Sequence, residues 1–207
     1  MSIRSIFQRV VGEDLSRIGF DLVAGKSVSI RRFGPRIEQR VELVSSRSHS
    51  GGNVLSLFLG TCIDAFRGSP GLYGPGLDWT FTMDAIVANP QIECELQQAE
   101  GCSEQQVEEW LRSMSRELQH VGVDFFERTS SIERLIHFAV SDFCRARATS
   151  YNEVYARLQR AMLQKLLGCP EEFEQEIEIA TDDCQARWLR DLRKFVAFVR
   201  AYEVDGG

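Results

Sequence analysis

Long apolar runs are missing from this sequence. No stretch approaches the roughly 20 consecutive apolar residues that a membrane-spanning helix requires. The first residues, Met1 to Phe7, are interrupted by charged or polar side chains, unlike the continuous apolar segment of a secretory signal. We therefore expect a cytoplasmic protein that has no membrane partner.

Paired cysteines and metal-ligand spacings are also missing. The sequence contains no Cys-x-x-Cys pair, and none of its three histidines lies near a cysteine at the spacing of a zinc site. In a reducing compartment, buried free thiols are then the expected state, without disulfide, metal or cofactor. The six cysteines are Cys62, Cys94, Cys102, Cys144, Cys169 and Cys184.

Catalytic motifs are absent as well. Neither a Gly-x-Ser-x-Gly elbow nor a Gly-x-x-x-x-Gly-Lys-Ser/Thr phosphate loop occurs. His49, in a turn rich in serine and glycine, has the exposure that catalysis needs, but no orienting carboxylate or oxyanion hole can be assigned to it. We predict no catalytic residue. The glycine- and proline-rich segment 67–78 is predicted to be a long loop, with ligand gating as its alternative role.

What the sequence does contain is the composition and patterning of an α+β globular protein, 43% hydrophobic and 26% charged over 207 residues. Helical spacing predicts a helix over 3–18 that ends at Gly19. Period-two alternation and apolar runs predict four strands of an antiparallel meander, at 27–31, 36–43, 54–63 and 79–85. The strand at 54–63 is apolar on both faces and is therefore predicted to be central. One domain, 1–207, is expected, with helix and sheet in 1–90 and helices packed on the sheet in 91–207.

Helical stripes beside capping signals organise the second half. Ser103 with Gln106, Ser130 with Glu133, and Ser150 with Glu153 each have the spacing of a capping box. Pro170 is predicted to open a short acidic helix, and Asp182 with Gln185 to start the last helix.

Arginines are concentrated in the predicted hairpin, but acidic residues interrupt them. Glu38 and Glu42 alternate with the basic side chains, which favours cross-strand ion pairs on a solvated face over a nucleic-acid groove. The arginines are Arg31, Arg32, Arg36, Arg40 and Arg47.

Negative charge dominates the second half: residues 91–207 carry 14 basic and 22 acidic side chains, and the whole chain has a net charge of −6. This balance disfavours a nucleic-acid partner and suits a basic protein. Five glutamates lie between Pro170 and Glu178, where Phe173 and Ile177 are expected to dock the helix while the glutamates project outward. The candidate partner-binding residues are Glu172, Glu174, Glu178, Asp182 and Asp183; a merely solubilising face is the alternative.

Three segments in the first third of the chain form a recognisable series: Ile18-Gly19-Phe20 after the first helix, the run Val44-Ser45-Ser46-Arg47-Ser48 with Gly51-Gly52, and Leu57-Phe58-Leu59-Gly60. With these segments, the first third resembles an uncharacterised bacterial family of small cytosolic α+β proteins. The resemblance implies an α+β fold and transfers no site residue. Proteins of this kind can accompany toxins as immunity proteins.

Two functions follow as hypotheses. The first is a non-catalytic protein-binding protein, with an immunity-type inhibitor of a toxin as its specific form. The second is a small-molecule-binding protein or an enzyme with a pocket under the 67–78 loop. A purely structural subunit is a third possibility, and the sequence leaves the oligomeric state open.

Overall fold

The chain is an α+β protein, as predicted: an N-terminal helix, an antiparallel sheet, and helices in the C-terminal half. The computed structural model describes residues 2–33, 36–47, 53–63, 65, 81–83, 103–139, 141 and 153–203. His49, the 67–78 loop and the cap at Ser150 lie outside these residues.

Helix α1 comprises Ile3–Phe7, a π-helical turn at Gln8–Gly12, and Glu13–Ser16. Its buried side carries Phe7, Val11 and Leu15, which have no solvent exposure. The helix ends in a Schellman motif, because the Phe20 N–H donates to the Leu15 carbonyl and the Gly19 N–H to the Ser16 carbonyl. Gly19 has a φ of 85°, so the predicted terminal glycine is confirmed.

The sheet has the order β1-β2-β3-β4-β5, and its first four strands are antiparallel. The strands are β1 Asp21–Leu22, β2 Val28–Phe33, β3 Ile37–Arg47, β4 Asn53–Ile63 and β5 Phe81–Met83. Strand β4 has a neighbour on each side, and Leu55, Leu57 and Leu59 are buried on it, so the predicted central strand is confirmed. Strand β1, which pairs Asp21 with Ile30 and Leu22 with Ser29, is an addition to the predicted meander.

The polar side of β2 does not face solvent, contrary to the alternation in its sequence. Ser29 is buried, and the Arg31 guanidinium donates to Gln39 Oε1 at 2.8 Å and to the Ile18 carbonyl at 2.7 Å. The same guanidinium lies 4.8 Å from the centre of the Phe20 ring. Burial lowers the pKa of Arg31 from its ordinary value. Arg31 therefore links the end of α1 to the sheet.

Opposite charges in the hairpin form the ion pairs that the interleaved sequence predicts. Glu38 accepts from Arg40 at 2.8 Å and from Arg32 at 3.1 Å. Its side chain is 10% exposed, so the two arginines cover a carboxylate that the alternation places on a solvated face. Although burial opposes it, hydrogen bonds and charge attraction from Arg40 and Arg32 lower the pKa of Glu38.

Helix α2 comprises Glu104–Glu117, a π-helical turn at Leu118–Gly122, and Val123–Arg128. The predicted capping box is present: Ser103 Oγ accepts from the Gln106 N–H, and Gln106 Oε1 accepts from the Ser103 N–H. The helix packs on the sheet, where Gln39 donates to the Phe126 carbonyl at 2.5 Å. Gly122 allows a close approach, since a Cβ there would lie 3.1 Å from Leu59 Cδ2 on β4.

Among the described residues, the remaining helices are α3 Ile132–Ala139, α4 Glu153–Leu166, α5 Pro170–Asp182 and α6 Leu189–Ala201, with a 3₁₀ turn at Ala186–Trp188 before α6. The predicted cap of α3 is displaced by one residue: Ser131, not Ser130, accepts from the Arg134 N–H. Helix α4 ends in a Schellman motif at Gly168, whose φ is 73°. The Lys165 ammonium donates to the Val199 and Arg200 carbonyls at the end of α6, where a cation is favoured.

The predicted start of the last helix at Asp182 is wrong. Asp182 is the last residue of α5, and Asp183 is its C-cap. Gln185 precedes the 3₁₀ turn without a side-chain capping bond. The spacing of Asp182 and Gln185 matches a capping box, but α5 continues through the first of the two residues.

The chain forms two compact units. The first lies within Met1–Arg32, Glu38–Thr61 and Thr82–Glu127; the second lies within Phe33–Ile37, Cys62–Phe81 and Arg128–Gly207. The expectation of one domain over 1–207 stays a prediction. No helix among the described residues is long and apolar enough to cross a membrane.

Candidate functional site

Helix α5 of the second unit carries the candidate partner-binding residues. Pro170 occupies its first turn, where the missing N–H costs nothing. Phe173, Ile177 and Ala180 are buried, with exposures of 7%, 6% and 0%, and the helix packs along α4. The predicted docking through Phe173 and Ile177 is thus confirmed.

One glutamate of α5 does not project outward, contrary to the sequence expectation. Glu176 lies between two arginines of α4: Arg157 Nη1 is 3.2 Å from one carboxylate oxygen, and Arg160 Nη1 is 3.2 Å from the other. The Glu176 side chain is only 8% exposed. It therefore belongs to the contact between α4 and α5 and is unavailable to a partner.

Four other carboxylates of α5 border an open groove of about 540 Å³. Its lining consists of Glu171, Glu174, Gln175, Ile177, Glu178, Thr181, Asp182 and Arg200. We call the four carboxylates in this lining, Glu171, Glu174, Glu178 and Asp182, the acidic face. A helix of 3.6 residues per turn brings positions at intervals of three, four and seven residues to one side, which is why they align.

The structure divides the five predicted residues between two sides of the helix. Glu174, Glu178 and Asp182 belong to the acidic face. Glu172 and Asp183 are exposed but do not line the groove, and helical geometry places them on the other flank. We call Glu172 and Asp183 the rear flank.

The acidic face has little compensating charge. Glu174 pairs with Arg200 at 2.6 Å, where both side chains are more than half exposed. Among the residues that the structure describes, Glu171, Glu178 and Asp182 have no ion-pair partner. Asp182 also lies at the C-terminus of α5, where the partial negative charge of the helix end disfavours a carboxylate.

Two charged residues of the groove lining, Glu171 and Arg200, are not among the candidate residues that the sequence predicts. Glu171 was open to detection, because it stands three, seven and eleven residues before the three predicted members of the acidic face. Arg200 gave no such signal. It reaches the groove only because the end of α6 lies beside the start of α5.

Such an arrangement suits the recognition of cationic side chains. Carboxylates accept charge-assisted hydrogen bonds from lysine and arginine, and exposed carboxylates attract them over about a Debye length. Within the described part of the chain, no three His, Cys, Asp or Glu side chains are grouped so that they could hold a metal ion.

Comparison with known proteins adds no relative: no protein-family model, curated protein or solved structure matches this chain. The resemblance of the first third to a bacterial family stays a prediction.

Proposed function

We propose that this chain is a non-catalytic protein-binding protein whose acidic face engages a basic partner protein. The observation that carries the proposal is the row of exposed carboxylates, three of which have no cationic partner among the described residues. The packing of α5 does not require these charges, and its helix dipole favours only Glu171, which lies in the first turn. Asp182 is even placed against the dipole, so folding stability does not explain its charge.

The specific form of the proposal is an immunity-type inhibitor. A toxin that acts on nucleic acid needs a cationic cleft to hold phosphates. An acidic face along one helix offers carboxylates to such a cleft and would accelerate association electrostatically.

The test compares two double variants of equal charge change. Glu178→Arg with Asp182→Arg reverses part of the acidic face, whereas Glu172→Arg with Asp183→Arg reverses the rear flank. We call the two proteins the acidic-face variant and the rear-flank variant. Affinity capture on each, followed by identification of the retained proteins, should yield a basic protein. The wild type and the rear-flank variant should retain this protein, and the acidic-face variant should not. Its association rate should fall about tenfold in that variant at low salt.

A solubilising face predicts a different result. Every basic protein would then bind the two variants equally. Its association rate would be equally insensitive to salt with the wild type and with both variants. Phe173→Ala serves as a further control: it removes a buried ring and should lower stability by about 3 kcal/mol while leaving the acidic face intact.

The immunity-type form has its own test. Host cells that express a toxic product of a neighbouring gene should survive when they also express the wild-type chain or its rear-flank variant. Cells that express the acidic-face variant instead should die. Equal protection by the two variants would exclude this form of the proposal.

A further inference from the structure

Helix α6 carries cations and alanines along the side opposite its buried one. Leu192, Phe195 and Val199 face the interior with exposures of 2%, 0% and 0%. The exposed positions recur at intervals of three and four residues, which places them on one side of the helix: Arg190, Arg193, Lys194, Ala197 and Ala201. Exposed Arg187 precedes them in the 3₁₀ turn. We call the four cationic residues, Arg187, Arg190, Arg193 and Lys194, the basic face.

Ion pairing leaves much of the charge on the basic face uncompensated. Arg190 and Arg193 have no ion-pair partner within the described part of the chain. Lys194 pairs with Asp191 at 3.2 Å, but its side chain is still 53% exposed. Like charges three or four residues apart on a helix repel one another. The basic face therefore holds a surplus of positive charge that would attract an anion.

The folding of α6 does not explain these charges. Arg190 lies in the first turn of the helix, where the partial positive charge of the helix end disfavours a cation. Trp188, the N-cap residue, makes no side-chain capping bond. An anion at this end of α6 would interact favourably both with the cations and with the helix terminus.

From these observations we infer that the basic face binds the phosphate backbone of a single-stranded nucleic acid. From Arg187 to Lys194 the cations extend over roughly 10 Å, along which one strand presents about three phosphates. Each guanidinium can donate two parallel hydrogen bonds to a phosphate. The short side chains of Ala197 and Ala201 continue the exposed side, so a strand can approach the helix closely there. Because the contacts involve phosphates, binding should not depend on base sequence.

A lipid surface fits the basic face less well than a nucleic acid does. Helices that lie in a membrane interface insert large apolar side chains into it, whereas the large apolar side chains at the centre of α6 are buried in the protein. Three of the four cations are arginines, whose planar guanidinium matches the geometry of phosphate oxygens.

The net charge of residues 91–207 disfavours a nucleic-acid partner, but it is an average over separate surfaces. The exposed carboxylates described above lie on α5, and the exposed side of α6 has the opposite sign. A local cationic surface attracts phosphates within about a Debye length, so the sign of the nearby charge matters more than the total. The inference does not rest on the proposed function, because it uses no residue of the acidic face.

Fluorescence anisotropy with a labelled single-stranded oligouridylate tests the inference. The logarithm of the wild-type binding constant should fall with the logarithm of the salt concentration at a slope of about −2, as three phosphate contacts require. Arg190→Gln with Arg193→Gln should weaken binding about tenfold or more at low salt and make the slope shallower by about 1.4. Both arginines are exposed and unpaired, so thermal unfolding of this variant should match that of the wild type.

Arg4→Gln with Arg116→Gln is the matched control. Both arginines are exposed in the first unit, and their loss changes the net charge by the same amount without altering the basic face. This variant should bind oligouridylate like the wild type. Absence of wild-type binding at low salt, or equal weakening in the two variants, would overturn the inference. Tighter binding to phosphatidylserine vesicles than to oligouridylate, lost on Arg190→Gln with Arg193→Gln, would also overturn it and assign the basic face to a membrane surface.

Discussion

Glutamates that look alike in the sequence have different roles at the scale of single residues. Glu176 and Glu178 are two residues apart on α5, yet the first contacts Arg157 and Arg160 while the second lines the open groove. The difference arises from which side of the helix α4 covers. A buried carboxylate between two guanidiniums is required for stability, whereas an exposed carboxylate is dispensable for it.

Glu176→Gln should therefore destabilise the protein strongly. The substitution keeps the shape but leaves two largely buried guanidiniums without their shared counter-charge, a loss of about 3 kcal/mol. Glu178→Gln, the matched control, should change the free energy of unfolding by less than about 0.5 kcal/mol. Urea denaturation of both variants measures this, and equal stabilities would contradict the assigned roles.

Glu108 should show a strongly depressed pKa. Its carboxylate accepts from Arg9 at 2.8 Å and from Arg112 at 2.7 Å. Hydrogen bonds from Arg9 and then Arg112 lower its pKa from 4.5 to about 2. Because the folded pKa is the lower one, the contribution of Glu108 to stability is complete above 4.5 and is lost as the pH falls toward 2.

Titration of the side-chain carboxyl by NMR measures this pKa directly. Arg9→Gln should raise it toward the ordinary value, because the first of the two hydrogen-bond donors is removed. Arg17→Gln is a suitable control, since Arg17 pairs with Asp14 instead. A Glu108 pKa equal in the wild type and Arg9→Gln would contradict the geometry.

At the scale of elements, two glycines close π-helical turns in α1 and α2 but meet different surroundings. A Cβ at Gly122 would lie 2.8 Å from Leu118 Cδ1 and 3.1 Å from Leu59 Cδ2, whereas one at Gly12 would meet nothing closer than 3.7 Å. Leu118 and Leu59 are both buried and cannot move freely. Gly122 thus sets the distance between α2 and β4.

Gly122→Ala should therefore destabilise the protein by about 1–3 kcal/mol through overpacking. Gly12→Ala should be neutral or stabilising by up to about 1 kcal/mol, because alanine loses less backbone entropy in a helix. Thermal unfolding of the two variants provides the comparison. A loss of stability in Gly12→Ala equal to that in Gly122→Ala would show that the π-helical turn itself, and not the close packing, requires glycine.

The ends of helices were predicted correctly where all residues of the capping signal lie within one turn. Ser103 and Gln106 form their capping box, and Gly19 ends α1, since each requires only residues within one turn. The adjacent serines Ser130 and Ser131 could each cap α3, and the structure has Ser131 as the cap. Asp182 carries a start signal but is the last residue of α5, because burial of Ile177 and Ala180 extends that helix to this point.

For the whole molecule, we predict six free thiols and no bound metal. Among the described cysteines, Cys62 is buried, and Cys169 and Cys184 are partly exposed and free. Thiol counting under denaturant on protein kept from oxidation should find six groups, with no stoichiometric zinc by elemental analysis. Fewer than six thiols or one zinc per chain would refute the prediction.

The sequence by itself determined the α+β class, the central strand β4, the acidic helix α5 and the apolar side on which it docks. Periodicity and end signals are local, and they survive in any tertiary context that buries the apolar side. Only the tertiary structure decided that Glu176 is buried, that Arg31 turns inward, and that Arg200 lines the groove and pairs with Glu174. These outcomes depend on which distant element covers each side of a helix or strand, and charge alone does not specify that side. The division of the acidic residues into a groove lining and a rear flank has the same origin, since it follows from how α5 lies on α4.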